Sequence, residues 1–177
     1  SSAFGYLLIE NSTIQNVGNA FLRFAAGVTP SIIVRNNTIY NCGYASGHNL
    51  GFISVAEELE TFTMESNLII GITDVSGEGK NPLFMTKAAK TMNKNFFYDC
   101  YDGFLGDETA AALATAGGAV LKENPVVDAV GGVFNVTDAE VKAAGAGDPR
   151  WLATYVEVPE DLTQTVTPTV TTWDLTD

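Results

Sequence analysis

The sequence predicts an all-β protein, a right-handed single-stranded parallel β-helix of about four to five coils with short helices in a C-terminal cap. Three observations lead to this prediction. A short line of residues recurs four times within residues 1–106, and inside each copy the apolar residues alternate with a period of two. In every copy a small polar residue, asparagine in three of the four, interrupts the alternation at the same place.

The four copies of the repeat motif are LIENSTIQNVG, IVRNNTIYNCG, TMESNLIIGIT and TMNKNFFYDCY. Their polar column has successive spacings of 25, 30 and 28 residues and consists of Ser12, Asn37, Asn67 and Asn95. A constant core with a variable period is typical of coils that differ only in loop length. The apolar columns are Ile9, Val34, Met64 and Met92; Ile14, Ile39, Ile69 and Phe97; and Val17, Cys42, Ile72 and Cys100.

The asparagine column predicts a bend between two strands of each coil. Asparagine enters the left-handed backbone region more readily than other non-glycine residues, so we expect it at the bend itself. In parallel strands spaced about 4.8 Å apart, the stacked amides would bond to one another. We therefore expect a structural ladder through Ser12, Asn37, Asn67 and Asn95.

A third strand follows each copy, in the segments AFLRF (20–24), GFISV (51–55), PLFMT (82–86) and GFLG (103–106). Polar Arg23 and Ser54 are expected to face outward. The inward residues would then be Leu22, Ile53, Phe84 and Leu105, and the outward aromatic and aliphatic residues Phe21, Phe52, Leu83 and Phe104.

The two cysteines, Cys42 and Cys100, belong to coils two apart, which predicts a separation of about 9–10 Å. A disulfide requires Cα atoms within about 7 Å. We therefore expect two buried free thiols that behave as small apolar residues.

The repeat fades after residue 106. We interpret 107–152 as a C-terminal cap, since an open coil exposes unpaired backbone groups, and 153–177 as an added strand or a linker. We expect all three parts to belong to one structural domain. Because SSAFGYLLIE already follows the pattern, we also expect this domain to be part of a longer protein. At that open N-terminal edge we expect further coils or self-association.

Two helices are predicted inside the cap. The first, within 106–118, begins at Asp107 and stops at the Gly117–Gly118 pair. The second, within 137–145, has a capping box formed by Thr137 and Glu140. Beyond it, Asp148 and Arg150 are expected to pair and to lock the cap.

Charge excludes some partners. The 21 acidic and 9 basic residues give a net charge of −12, which disfavours nucleic acid and anionic lipid and repels acidic polysaccharides unless a cation intervenes. No apolar run approaches the roughly 18 residues of a membrane span, so membrane insertion is not expected.

The coils across residues 5–106 resemble the pectate-lyase-like superfamily. The segment 124–151, with its AGAGDPRW motif, resembles the end of a C-terminal module found in secreted β-helix proteins of polysaccharide-degrading gut bacteria. This resemblance implies an extracellular or cell-surface bacterial protein that meets complex glycans. The superfamily includes lyases, glycoside hydrolases, esterases and inactive adhesins, so the fold does not choose among them.

Candidate catalytic groups are few. Arg23 is a candidate lyase base, and Asp99 and Asp102 are candidate catalytic or calcium-binding carboxylates. Asp107 and Glu108 extend that acidic cluster, and a second cluster consists of Glu57, Glu58 and Glu60. No cofactor is expected apart from a calcium ion at such a cluster.

Candidate sugar contacts are Tyr44, Tyr98 and Tyr101 near the coil ends, and His48 in the loop GYASGHNLG. The favoured hypothesis is a glycan-associated domain that binds carbohydrate or serves as a scaffold and is not itself catalytic, because no paired carboxylates stand in the predicted outward column. The alternatives are a polysaccharide lyase or related carbohydrate-active enzyme, and a structural or adhesive surface module.

Overall fold

A computed structural model of the chain describes residues 5–18, 21–23, 31–43, 53–54, 61–73, 84–85, 90–105 and 110–152. Within these residues the chain is mainly β-strand. In chain order the strands are β1 (Tyr6–Glu10), β2 (Thr13–Gln15), β3 (Leu22–Arg23), β4 (Ser31–Arg35), β5 (Thr38–Tyr40), β6 (Ile53–Ser54), β7 (Thr61–Glu65), β8 (Leu68–Ile70), β9 (Phe84–Met85), β10 (Lys90–Asn93), β11 (Phe96–Tyr98), β12 (Ala119–Val120), β13 (Val126–Asp128) and β14 (Val133–Val136). The helices are α1 (Ala110–Thr115) and α2 (Ala139–Ala144), followed by a 3-10 turn at Pro149–Trp151.

All but two of these strands form three parallel sheets. Their strand orders are β1-β4-β7-β10 in sheet 1, β2-β5-β8-β11-β12 in sheet 2 and β3-β6-β9 in sheet 3. The register joins the aligned columns of the repeat, so that Val34 lies between Ile9 and Met64 on neighbouring strands. The all-β class and the parallel strand pairing predicted from the sequence are confirmed.

An apolar cluster, the first core, joins the alternate residues of sheets 1 and 2. Its central members are fully or almost fully buried: Ile32, Val34, Ile39, Cys42, Phe62, Met64, Ile69, Ile72 and Phe97. Since residues i and i+2 of a strand share a face, the period of two seen in the sequence is the period of this burial.

The predicted fourth copy of the third strand is wrong. Residues 102–105 form a turn, in which the Phe104 backbone N–H donates to the Tyr101 carbonyl at 3.0 Å. Phe104 was expected on the outer face, yet it is 1% exposed and belongs to the first core. Phe21 is also half-buried against this core. Phe52 and Leu83 lie outside the described residues.

The amides of the polar column stack through the interior. Asn37 Nδ2 donates to Asn67 Oδ1 at 3.0 Å, and Asn67 Nδ2 donates to Asn95 Oδ1 at 2.9 Å. Each Oδ1 also accepts the backbone N–H of the preceding layer, from Asn37 at 3.1 Å and from Asn67 at 3.2 Å. Ser12 donates only its backbone N–H to Asn37 Oδ1, because its hydroxyl donates to the Glu10 carbonyl. The three asparagines are at most 1% exposed.

The bend itself lies one residue before each ladder position, which corrects the expectation that the ladder asparagines adopt the left-handed conformation. The residues that precede the four ladder positions are Asn11, Asn36, Ser66 and Lys94, and each has a left-handed φ between 51° and 53°. The left-handed residue turns the chain outward, and the next side chain then points into the protein, where an amide can bond along the stack.

The ladder ends at a glycine. Ala119 pairs with Phe96, and its N–H donates to the Asn95 carbonyl at 3.1 Å, so Gly118 lies over Asn95. A Cβ at Gly118 would stand 2.2 Å from that carbonyl oxygen, so no larger residue fits there without a backbone shift. Helix α1 precedes Gly117 and Gly118 in the chain. Its Leu113 is 2% exposed and belongs to the first core.

Residues 124–152 cover the outer face of sheet 2. Leu68, Ile70 and Phe96 point away from the first core and form a second core with the C-terminal segment. That segment contributes the antiparallel hairpin β13–β14 and helix α2, through Val126, Ala129, Phe134, Val136, Val141 and Ala146. The sequence-based division treats 107–152 as one cap, whereas α1 packs at the end of the first core and 124–152 packs along the side of sheet 2.

Helix α2 starts one residue later than the predicted capping box. Its N-cap is Asp138, whose Oδ1 accepts the N–H groups of Glu140 and Val141 at 2.9 Å each. The box through Thr137 is therefore wrong. Asp138 takes the role because its carboxylate accepts two of the free N–H groups at the helix start.

Asp148 fixes the end of this segment to the first two strands of sheet 2. Its Oδ2 accepts the hydroxyl of Thr13 at 2.8 Å, and its backbone N–H donates to Thr38 Oγ1 at 2.9 Å. The expected pairing with Arg150 is confirmed, with Arg150 Nε at 3.0 Å from Oδ2. Trp151 Nε1 donates to the same Thr13 hydroxyl. Burial acts to raise the pKa of the Asp148 carboxyl, but the hydrogen bonds from Arg150 and Thr13 together hold that pKa below its ordinary value.

We expect Asn67→Ala to lower the free energy of unfolding by about 3–5 kcal/mol, because it removes hydrogen bonds to buried groups of Asn37, Asn95 and Val34. Urea unfolding followed by circular dichroism measures this. The matched control is Asn93→Ala, which removes a half-buried outer bond to Glu65 and should cost less than about 1 kcal/mol. Equal losses in the two variants would contradict the ladder's structural role.

Asp148→Asn should flatten the acid limb of the stability profile. Because the folded-state pKa is lowered, the ionised carboxyl stabilises the fold above about pH 4, and that contribution is lost as the pH falls through the folded-state pKa. The variant should be about 1–2 kcal/mol less stable at neutral pH and should lose less stability than the native chain on acidification. Glu123→Gln, at an exposed position, is the control, and parallel curves for all three proteins would refute the assignment.

Candidate functional site

A small cavity lies where the chain leaves sheet 2 after its fourth repeat, and it contains two of the predicted site residues. Its volume is about 230 Å³. The lining residues are Phe97, Cys100, Tyr101, Asp102, Gly103, Phe104, Leu105 and Val120.

Local backbone geometry builds this cavity. Strand β11 ends at Tyr98, and Asp99 turns the chain with a left-handed φ of 52°. The Tyr101 N–H then donates to the Ile72 carbonyl at 3.0 Å, which holds the start of the turn against the preceding repeat. Gly103, with a φ of 87°, completes the turn in a conformation that side chains rarely adopt.

The walls combine aromatic surface with one carboxylate. The Tyr101 ring meets the Phe104 ring at 5.7 Å in an edge arrangement, and Phe104 meets Phe97 at 6.2 Å. Asp102 is exposed at the rim. An aromatic face beside a carboxylate suits a hydroxyl-rich ring, since the ring's C–H face packs on the aromatic group and its hydroxyls donate to the carboxylate.

The size of the cavity limits its ligand. Sites for drug-sized molecules and cofactors usually span about 300–1,000 Å³. At about 230 Å³ this cavity accommodates a single small group, such as one sugar unit of a longer chain.

The Cys100 thiol in the cavity wall is protonated at neutral pH. Burial is the main cause that raises its pKa to about 12, and the nearby Asp99 carboxylate acts in the same direction. Since the thiolate is the nucleophile, this thiol is almost entirely inactive at neutral pH. Cys42 is fully buried, and burial raises its pKa as well. Both cysteines are free, as expected, but Cys100 is half-buried where full burial was predicted.

The structure separates Arg23 from the acidic candidates. Arg23 is exposed on β3 and lies in register with Ser54 of the next strand, so it belongs to the first repeat. Asp102 belongs to the turn after the fourth repeat. The described residues therefore do not place Arg23 beside Asp99 or Asp102, as a shared lyase site would require.

The other sequence candidates have different fates. Tyr98 is half-buried against the second core, which leaves it little free surface for a ligand. Among the described residues no three His, Cys, Asp or Glu side chains form a group that could hold a metal ion. Several candidates lie outside the described residues: Tyr44, His48, Glu57, Glu58, Glu60, Asp107 and Glu108.

Sequence reasoning missed the part that Phe104 and Cys100 play in the cavity wall. Both were assigned by extending the repeat pattern, and the pattern stops in the turn at 102–105. Gly103 is the residue in the sequence that could have indicated the end of the repeat, because glycine is more frequent in turns than inside strands.

A second depression lies on the C-terminal hairpin and is nearly apolar. Its volume is about 430 Å³, and Val127, Val133, Asn135 and Trp151 line it. Asn135 is the only polar side chain among these four, so the depression offers little to orient a ligand.

Comparison with known protein families, curated proteins and solved structures finds no match for this chain. None of the helices among the described residues combines the length and the apolar character needed to cross a membrane.

Cys100 should resist thiol reagents at neutral pH in the folded protein. In a Cys42→Ala background, we expect disulfide reagents to react with Cys100 about a thousand-fold more slowly than in the urea-unfolded chain, because an unperturbed thiol has a pKa near 8.5. Stopped-flow absorbance of the released thiol measures both rates. Comparable rates in the two states would show that the thiol is exposed and ionised.

Proposed function

We propose that the chain is a right-handed parallel β-helix domain that binds carbohydrate outside the bacterial cell without cleaving it. The support for the β-helix is the strand order. Sheets 1 and 2 take one strand from each of the four repeats, sheet 3 takes one from each of the first three, and all three sheets add their strands in the order of the sequence. A chain that winds through three sides once per repeat has this order, and the connection between parallel strands favours the right-handed sense.

The single observation that carries the binding function is the pairing of an aromatic wall with one carboxylate at the cavity. Tyr101, which is half-buried, supplies apolar ring surface, the buried Phe104 supports that ring from the core, and Asp102 supplies a hydrogen-bond acceptor at the rim. The resemblance to the pectate-lyase-like superfamily adds the class of ligand, a complex glycan. The net charge of −12 favours a neutral glycan over an acidic one.

We propose that the domain does not cleave the glycan, because the residues that line the cavity lack the groups that cleavage requires. Glycoside hydrolysis uses two carboxylates about 5–9.5 Å apart, and among the residues that the structure describes Asp102 is the only carboxylate that lines the cavity. The thiol of Cys100 is protonated at neutral pH and supplies no nucleophile. The groups present can bind and orient a sugar ring, which is the role we assign to them.

Affinity electrophoresis and calorimetry against a panel of neutral and uronate polysaccharides test this function. We expect weak binding to a neutral glycan and no ultraviolet-absorbing unsaturated product with or without calcium. Asp102→Asn should weaken binding about ten-fold or more, because the amide is a poorer acceptor for hydroxyl groups than the carboxylate.

Glu123→Gln is the matched control, since it removes a carboxylate that does not line the cavity and should leave the affinity unchanged. An unsaturated or hydrolysed product would replace the proposal with a polysaccharide lyase or a related enzyme. A folded protein that binds no member of the panel would favour a structural or adhesive module instead.

A further inference from the structure

Residues 116–121 repeat the backbone pattern of the earlier coils without their sequence motif. The N–H of the bend residue Lys94 donates to the Ala116 carbonyl at 2.8 Å, as the bend residue of each earlier coil does to the coil after it. The next residue, Gly117, has a left-handed φ of 70°, which is the conformation of the earlier bend residues. This segment is therefore part of a fifth coil.

Two elements of this fifth coil differ from those of the earlier coils. Helix α1 precedes the bend in the chain, where the earlier coils have a strand of sheet 1. Gly118 takes the ladder position over Asn95 and has no side chain to place in the interior. Val120 is 47% exposed as a result, although Phe97 and Ile69 of the same inward column are fully buried. The interior of this coil is therefore incompletely filled.

The candidate cavity lies in this incompletely filled interior. Val120 of the fifth coil and Phe97 of the fourth coil both line it, and so does Leu105 from the turn. These three side chains are hydrocarbon, and we call them the inner wall. Asp102 and Gly103 are exposed and form the rim. The cavity therefore combines an apolar inner wall with a rim that carries a carboxylate.

The inner wall discriminates between the substituents of a sugar ring. A hydroxyl group placed against hydrocarbon gives up its hydrogen bonds to water without replacement, which weakens binding about five-fold or more. The thiol of Cys100 does not offset this loss, because it is a weak donor that already points to the Tyr98 carbonyl at 3.6 Å. A methyl group in the same place gains apolar contact and loses no hydrogen bond.

We propose that the cavity selects a neutral sugar unit that carries a methyl group, with the methyl group against the inner wall and the ring hydroxyls at Asp102. Two kinds of sugar present such a group, an O-acetylated sugar and a 6-deoxy sugar. The carboxylate at the rim and the net charge of −12 disfavour an acidic substituent in either case. This inference rests on the proposed glycan-binding function and adds the substituent that the site recognises.

Two pairs of ligands test this selection with the full chain. Acetylated glucomannan is compared with the same polymer after alkaline deacetylation, and L-fucose is compared with L-galactose, which has a hydroxyl group in place of a hydrogen at carbon 6. Calorimetry for the polymers and competition for the monosaccharides should give about five- to ten-fold tighter binding of the methyl-bearing member. A preference in one pair alone assigns the methyl group to that kind of sugar.

Val120→Thr tests whether the inner wall causes the preference. Threonine has nearly the shape of valine but places a hydroxyl group on the wall, so the preference should fall below about two-fold. Val127→Thr is the matched control, because Val127 is 58% exposed and lines the second depression on the hairpin. It should keep the full preference, and urea unfolding followed by circular dichroism shows that both variants are folded.

Methyl NMR of the native chain gives a readout that does not depend on a variant, since a bound methyl-bearing sugar should shift the Val120 signals and leave those of Val127 in place. Unshifted Val120 signals overturn the selection. Equal affinities within both pairs also overturn it, as does a preference that persists in Val120→Thr or is lost in Val127→Thr. Each of these results leaves glycan binding at Asp102 standing, whereas a chain that binds no ligand of either pair or of the polysaccharide panel overturns the proposed function as well.

Discussion

The buried stack of amides from Asn37 to Asn95 imposes the register on which the sheets depend. Most of the hydrogen bonds of these side chains join one layer to a neighbouring layer, and the three amides are at most 1% exposed. A slip of one residue in any repeat would leave several polar groups buried without partners, at about 1–3 kcal/mol each. The same slip would move the apolar columns from the inner face to the outer face. Polar satisfaction and apolar burial therefore select one register together.

Sheet 2 extends this constraint to the C-terminal segment. Its inner face belongs to the first core, and its outer face carries Leu68, Ile70 and Phe96 into the second core. Because both faces of these short strands are apolar, the outer face needs a cover, and residues 124–152 provide it. Asp148 then connects this cover to Thr13 and Thr38 on two successive strands, so the segment reinforces the parallel pairing that it covers.

The candidate site arises where the repeat stops. In the fourth repeat the chain turns at residues 101–105 and does not form a third strand, and the turn places Tyr101 and Asp102 beside a cavity walled by Phe104. The core supports this turn from below, because Phe104 is anchored in it while Asp102 stays at the surface. Rigid support with an exposed polar rim is the usual arrangement of a binding site on a loop.

The sequence by itself determined the all-β class, the parallel pairing and the column that holds Ser12, Asn37, Asn67 and Asn95, because these follow from a repeated local pattern. It also indicated the Asp148–Arg150 pair from short-range spacing. Only the tertiary structure decided that Phe104 is buried, that Tyr98 packs under the C-terminal segment and that Arg23 lies in sheet 3 beside Ser54, whereas Asp102 lies in the turn after β11. The reason is physical: a period of two tells which residues share a face, but which surface covers that face depends on contacts between segments distant in the sequence.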